Sequence, residues 1–237
     1  MTNDSSGVGS VMQRFLGRLR HGLMIQEILD RLSRLGFVVY PYIVTAERSA
    51  DMDLPVETAH VVRPLGPQDA TEVARITIRN ITEATVIDSL TRARCIGIFY
   101  MGRLVGYTWV ATHAVPVPGS MGTALFELQL DEAYLFDMFV SPEYRGARLA
   151  PLLRAYVLRD LTNEGRVYCY SITLLFNRSS RRFKARLGLR EVELRIYLHA
   201  RFGSLKGLDL RLWRRQPHLR TPLFKQVPRA GKTTHAP

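Results

Sequence analysis

Residues 134–153, YLFDMFVSPEYRGARLAPLL, decide how this chain is read. An apolar and aromatic run ends at Val140, and Pro142, with no backbone N–H to donate, stops it from continuing as a strand. A compact loop then gives way to Leu149, Leu152 and Leu153, whose spacing marks the buried stripe of a helix. A strand that passes through a short loop into a helix leaves backbone N–H groups unpaired at the helix start. Together with the helix dipole, those donors make an anion site suited to a pyrophosphate. Arg145 and Arg148 add formal charge at the same place, and a guanidinium matches phosphate oxygens as a bidentate fork. The plainer reading of the same residues is an ordinary strand-to-helix connection with solvated arginines.

One helix and one strand later comes a second informative segment, residues 177–189, NRSSRRFKARLGL. The Asn177 amide both donates and accepts, which suits a peptide-like ligand arm and equally suits a cap for the helix that follows. Gly188 supplies a left-handed stop for that helix.

In this order and spacing the two segments resemble the signature of the GNAT superfamily of acyl-CoA-dependent N-acyltransferases. The first follows V-x-P-x-x-[QR] running into [QR]-x-x-G-x-[GA] at Val140, Pro142, Arg145 and Ala150, and departs at Arg148, where the family has Gly. The second is similar to N-x-x-[AS]-x-x-x-Y-x-x-x-G-[FL], and departs at Lys184, where the family commonly has a proton-donating Tyr. Gly102 and Gly106 resemble the family's usual hairpin, so the likeness covers roughly residues 59–212.

The resemblance implies an α/β (mixed α+β) GNAT-like fold: a mostly antiparallel mixed sheet flanked by helices. It implies acetyl-CoA as co-substrate, no metal, and direct attack by a primary amine of an acceptor on the thioester carbonyl. The pantetheine arm is then expected along the backbone of Met138, Phe139 and Val140, between that strand and the strand at 167–175. The pyrophosphate is expected over Arg145, Gly146, Ala147, Arg148, Leu149 and Ala150, with Asn177, Ser180 and Lys184 completing the cofactor contacts. Such a reaction rests on positioning, carbonyl polarisation and proton transfer. Asp137 and Lys184 are the catalytic candidates. Lys184 has three readings: a proton donor, a phosphate ligand, or a solvated cation on a basic helix. Asp137 lies among apolar neighbours, where an ionised carboxylate needs a partner. Strict strand alternation puts it on one face with Leu135 and Phe139, opposite Tyr134, Phe136 and Met138. Glu127, Glu132, His113, Tyr168 and Tyr170 are further candidates, each with an ordinary surface or core role as the alternative.

The remaining sequence bounds these readings. The chain has 237 residues, 46% hydrophobic and 23% charged, which fits a folded globular protein rather than a disordered one. No apolar run reaches the roughly 20 residues needed to span a bilayer, and the N-terminus does not read as a secretory signal. Cys95 and Cys169, both in apolar strand-like settings, argue against a disulfide scaffold or thiolate metal site and fit a reducing cytoplasm. The net charge of +12 points to a polyanionic partner, and it is concentrated: residues 145–190 hold eleven cations against Asp160 and Glu164.

Four regions are expected: a flexible N-terminus (1–10), a helix-strand extension with its linker (11–57), the acyltransferase domain (58–214) and a flexible basic tail (215–237). The amphipathic helix at 12–35 is expected to pack its apolar stripe on the sheet; a peripheral membrane contact is the alternative. The tail could touch nucleic acid, but it carries no aromatic stacking platform. The competing functions are a non-catalytic acyl-CoA-binding module and a nucleic-acid-binding protein. The sequence leaves the acceptor, the acyl length and the oligomeric state open, a homodimer included.

Overall fold

The computed structural model describes residues 23–49, 60–77, 81–116, 124–200, 208–214 and 225–226. The chain divides into two compact units, residues 48–170 with 222–237, and residues 1–47 with 171–221. Mixed, mostly antiparallel strands flanked by helices make up the fold, as the sequence pattern implies. The expected flexible N-terminus (1–10), the first half of the expected N-terminal helix and most of the basic tail lie outside the described residues.

The unit built on residues 48–170 contains β2 (His60–Leu65), α2 (Ala70–Ile76), α3 (Glu83–Leu90), β3 (Arg94–Tyr100) and β4 (Arg103–Ala111). A three-residue strand, β5 (Ala114–Pro116), pairs with β6 (Ala124–Glu127), and β7 (Glu132–Val140) leads to α4 (Leu149–Asn163). The main strands run in the order β7-β4-β3-β2, all antiparallel. At the other edge of β7, three residue pairs join it in parallel to the start of β8 (Tyr168–Leu174), ending at Tyr134↔Tyr170. The tail adds an element that its composition does not announce: β11 (Lys225–Gln226) pairs antiparallel with β6.

The two faces of this sheet differ in chemistry. On one face Ile96, Ile98, Val110, Ala133 and Leu135 pack with Leu149, Leu153, Val157, Leu158 and Leu161 of α4. Each fully buried leucine there contributes roughly 1.5–3 kcal/mol relative to exposure. The α4 sequence supports this packing: Pro151 falls in the first turn, where its missing N–H costs nothing, and Gly165 ends the helix in the left-handed region at φ 76. On the other face aromatic rings align, with Tyr107 on Phe139 and Trp109 and Tyr134 on Phe136. The Tyr107 hydroxyl donates to Thr77 Oγ1 at the end of α2.

The second unit comprises α1 (Leu23–Arg34), β1 (Phe37–Arg48, to residue 47), β8 from Ser171, α5 (Arg178–Arg186), β9 (Arg190–Ala200) and β10 (Leu208–Arg214). Its strand order is β10-β9-β1-β8, so the strand read as part of an extension is an interior strand. Leu175 N–H donates to Pro41 O, and buried Thr45 bonds Ser171 through both its carbonyl and its hydroxyl. The stripe of α1 was expected to be covered, yet Ile25, Ile28, Leu32 and Leu35 are exposed.

The β10-β9-β1 sheet buries its polar face. Tyr42 donates to Asp209 at 2.6 Å, and Arg195 bridges Glu193 and Asp209. Burial, helped by the Asp209 carboxylate, raises the Tyr42 phenol well above its ordinary range. Burial also raises Asp209, although Tyr42 and Arg195 pull it the other way. For Arg195, burial works against the charge, and Glu193 and Asp209 outweigh it.

Candidate active site

β7, the strand expected to receive the cofactor, is not a regular strand. Tyr107 pairs with Phe139 and Trp109 with Phe136, so Thr108 alone faces the two residues Asp137 and Met138. Two residues opposite one define a β-bulge. Asp137 adopts φ 51 to make it, and Thr108 Oγ1 donates to Phe136 O at 3.3 Å. The bulge resets the alternation: Leu135 faces α4, whereas Phe139 joins Phe136 on the aromatic face and Val140 returns to the α4 side. Strict alternation, which grouped Asp137 and Leu135 with Phe139, fails because the extra residue shifts the phase by one.

The close approach of β4 to this strand depends on Gly106. A Cβ there would lie 2.7 Å from Phe139 O, a distance that only displacement of the strand could relieve. From Leu135 to Val140, β7 pairs with β4 through that approach.

After β7, Pro142–Tyr144 form one 3-10 turn and the chain enters α4 through two left-handed residues, Gly146 (φ 93) and Arg148 (φ 57). This supplies a second reason for the family's Gly at position 148: a side chain in the left-handed region costs roughly 1–2 kcal/mol. Arg148 is the N-cap of α4, and no side chain caps the helix. Among the described residues, the backbone N–H groups of Gly146, Arg148, Leu149 and Ala150 donate to no acceptor. Four donors therefore remain at the positive end of a 15-residue helix.

Two of the expected contacts are different. The Arg145 N–H donates to Pro142 O and the Ala147 N–H to Tyr144 O, because the turn consumes them. The Arg145 side chain folds back, its Nε donating to Val140 O at 3.3 Å, while Arg148 is exposed.

Asn177, Ser180 and Lys184 belong to the other unit. Asn177 Oδ1 accepts from Ser180 N–H at 3.0 Å and caps α5, the plainer of its two sequence readings, leaving its NH2 group as a donor. Lys184 is not the solvated cation that a basic helix suggests. Its ammonium donates to Ile172 O at 3.1 Å and to Thr45 Oγ1 at 3.4 Å, beside the buried Thr45–Ser171 pair. Ser171 and Thr173, two polar residues one period apart in an apolar strand, were the sequence signal for this polar pocket, and the Thr173 hydroxyl is buried with no partner among the described residues.

The other candidates separate cleanly. Glu132 is fully buried and accepts from Gln129 N–H and the Tyr170 hydroxyl, so it braces the start of β7. Tyr168 lies under the Arg48 guanidinium, while Glu127 and His113 are exposed.

A strand interrupted by a bulge, a loop with free amides and a helix packed beneath the sheet together have the form of the GNAT fold. The model of the acetyltransferase (GNAT) family matches residues 68–189, just over half of the chain, and the chain belongs to that family. Solved structures share the fold. A Drosophila protein aligns at TM-score 0.51 and 13% identity over 74% of this chain and 57% of its own. A functionally unknown conserved protein from Staphylococcus epidermidis aligns at TM-score 0.52 and 9% identity over 73% of this chain and 66% of its own. A GNAT-family putative acetyltransferase from Novosphingobium aromaticivorans reaches 22% identity at TM-score 0.47, over 69% of this chain and 66% of its own. The chain thus spans between 57% and 66% of the length of these structures, and the likeness concerns the fold alone. No curated protein matches the sequence. No helix among the described residues is long and apolar enough to cross a membrane.

Proposed function

We propose that this chain transfers an acetyl group from acetyl-CoA to a primary amine. The observation that carries the reading is the set of uncapped amides at Gly146, Arg148, Leu149 and Ala150, directly after a bulged strand. In this reading the pyrophosphate accepts from those amides, and the pantetheine amides add to the backbone of Met138, Phe139 and Val140. The exposed Arg148 guanidinium contributes charge rather than a fixed hydrogen bond.

An alkylamine is mostly protonated at neutral pH, so attack on the thioester requires a base, directly or through water. Asp137, which sits at the bulge, is the proposed base. Attack expels the coenzyme A thiolate, which takes up a proton. Lys184, whose ammonium donates to Ile172 O and Thr45 Oγ1, is the proposed donor.

Titration calorimetry with acetyl-CoA, followed by a thiol-release assay across an amine panel, tests the proposal. Binding and release of free thiol are expected. Asp137→Asn should lower kcat and shift the pH profile, and Lys184→Met should lower kcat with little change in cofactor affinity. Binding without turnover on any amine would instead support a non-catalytic acyl-CoA-binding module, the reading favoured by the departures at Arg148 and Lys184. Absence of binding would overturn both.

A further inference from the structure

Lys184 sits on α5, and that helix is itself pinned to its own unit. Arg181, one turn earlier and so on the same side of the helix, donates from Nε and Nη2 to the Glu191 carboxylate at 2.7 and 3.0 Å. Its Nη1 donates to Leu175 O at 3.2 Å. From this fixed base the Lys184 ammonium reaches acceptors on two strands, Ile172 O of β8 at 3.1 Å and Thr45 Oγ1 of β1 at 3.4 Å. The ladder between β7 and β8 ends at Tyr170, so the Ile172 carbonyl is not one of its acceptors.

The Thr45 oxygen is oriented in turn by Ser171. A hydroxyl has one hydrogen to donate and an oxygen that accepts. A carbonyl only accepts and an ammonium only donates, so the Thr45 hydrogen goes to Ser171 O at 2.9 Å. The 2.8 Å contact between the two hydroxyls is then donated by Ser171 Oγ. This arrangement alone satisfies all three contacts, and it presents the Thr45 oxygen to the ammonium as an acceptor. Thr45 and Ser171 are 2% and 3% exposed, and in such surroundings a hydrogen bond is stronger than in water.

A lysine side chain carries much rotamer freedom, and acceptors on two separate strands restrict it. Proton transfer depends on such placement. We propose that Thr45 is a positioning residue for the transfer reaction: oriented by Ser171, it holds the Lys184 ammonium together with Ile172 O. The role rests on the proposed function. There the acceptor nitrogen loses a proton to Asp137 and bonds to the acetyl carbon as the C–S bond breaks. The coenzyme A thiolate takes a proton from Lys184, which leaves a free thiol and a neutral lysine amine.

Thr45→Val keeps the shape of the side chain and removes its hydroxyl. It should lower kcat in the thiol-release assay by roughly 10–100-fold with an unchanged Kd for acetyl-CoA, and Thr45→Ser should restore kcat. In a Lys184→Met background, Thr45→Val should lower kcat no further, because the two residues act as one unit. The NMR signal of the Lys184 ammonium, assigned by its absence from Lys184→Met, reads the contact without catalysis. Hydrogen bonding slows its proton exchange, so it should be visible in the wild type and Thr45→Ser and lost in Thr45→Val. If Thr45→Val does not fold, Ser171→Ala, which removes the hydroxyl that orients Thr45, should give smaller losses of the same kind. Turnover that falls in Lys184→Met but holds in Thr45→Val would overturn the role and leave the proposed function standing. An equal loss in the Lys184→Met background, or an ammonium signal indifferent to the Thr45 hydroxyl, would do the same. A wild type that turns over no amine would overturn both.

Discussion

Arg148 occupies a left-handed position that its family fills with Gly, and it carries a strain that Gly does not. Arg148→Gly should raise stability to urea by about 1 kcal/mol, whereas Arg148→Ala, which keeps the Cβ, should not. Equilibrium unfolding of the two variants separates backbone strain from lost charge. Asp69 shows the opposite case of a residue well matched to its place. It accepts from Arg63 in a bidentate pair and from Gly66 N–H, fixing the chain where it turns into α2. The Arg63 hydrogen bonds hold its carboxyl below the usual range, with burial opposing and Gly66 assisting. A folded-state value below the unfolded one stabilises above the unfolded pKa of about 3.9 and is lost as pH falls through the folded value. Asp69→Asn should therefore cost about 1–3 kcal/mol near neutral pH. The gap to wild type should shrink below about pH 4, as urea midpoints measured across that range would show.

Among the elements, those with a strong internal signal were legible in the sequence. The end of β7 at Val140 and the start of α4 at Leu149 fall where the sequence places them, because Pro142 and the leucine spacing mark the junction without help from distant residues. What escaped the sequence was set by pairing between strands. The bulge at Asp137 exists because β4 offers one residue where β7 offers two, and no local feature of residues 134–140 announces it. The same reason hid the interior position of β1 and the two-residue β11, whose partners are far away in the chain. In the candidate site, the free amides were legible from the motif, while the turn that takes up the Arg145 and Ala147 amides was not. At α5 the sequence left two roles for Asn177, and its side-chain oxygen caps the helix. Asn177→Ala should cost about 1 kcal/mol in chemical unfolding, and Asn177→Asp, which keeps the acceptor, should recover most of it. If the Asn177 NH2 group also holds the pantetheine, Asn177→Asp should regain stability without regaining acetyl-CoA affinity.

For the molecule as a whole, the charge of +12 at pH 7 is a long-range property that acts on any anionic ligand. Surface attraction reaches about 30 Å at 0.01 M salt and about 3 Å at 1 M. On the proposed function, acetyl-CoA binding should therefore weaken steadily as salt is added, and S-acetylpantetheine, which lacks the phosphates, should show almost no dependence. Calorimetry of both ligands across a salt series checks this.

The placement of the two sulfur atoms gives the fold a clock. Cys95 and Cys169 are each about 1% exposed, and burial, with the charges of Asp137 and Asp69, pushes the Cys95 thiol far above its ordinary pKa. A thiol kept neutral and enclosed does not react with a disulfide reagent. Each modification event must then wait for β3 or β8 to open, so the rate of colour release from such a reagent would time the native state's own excursions, strand by strand.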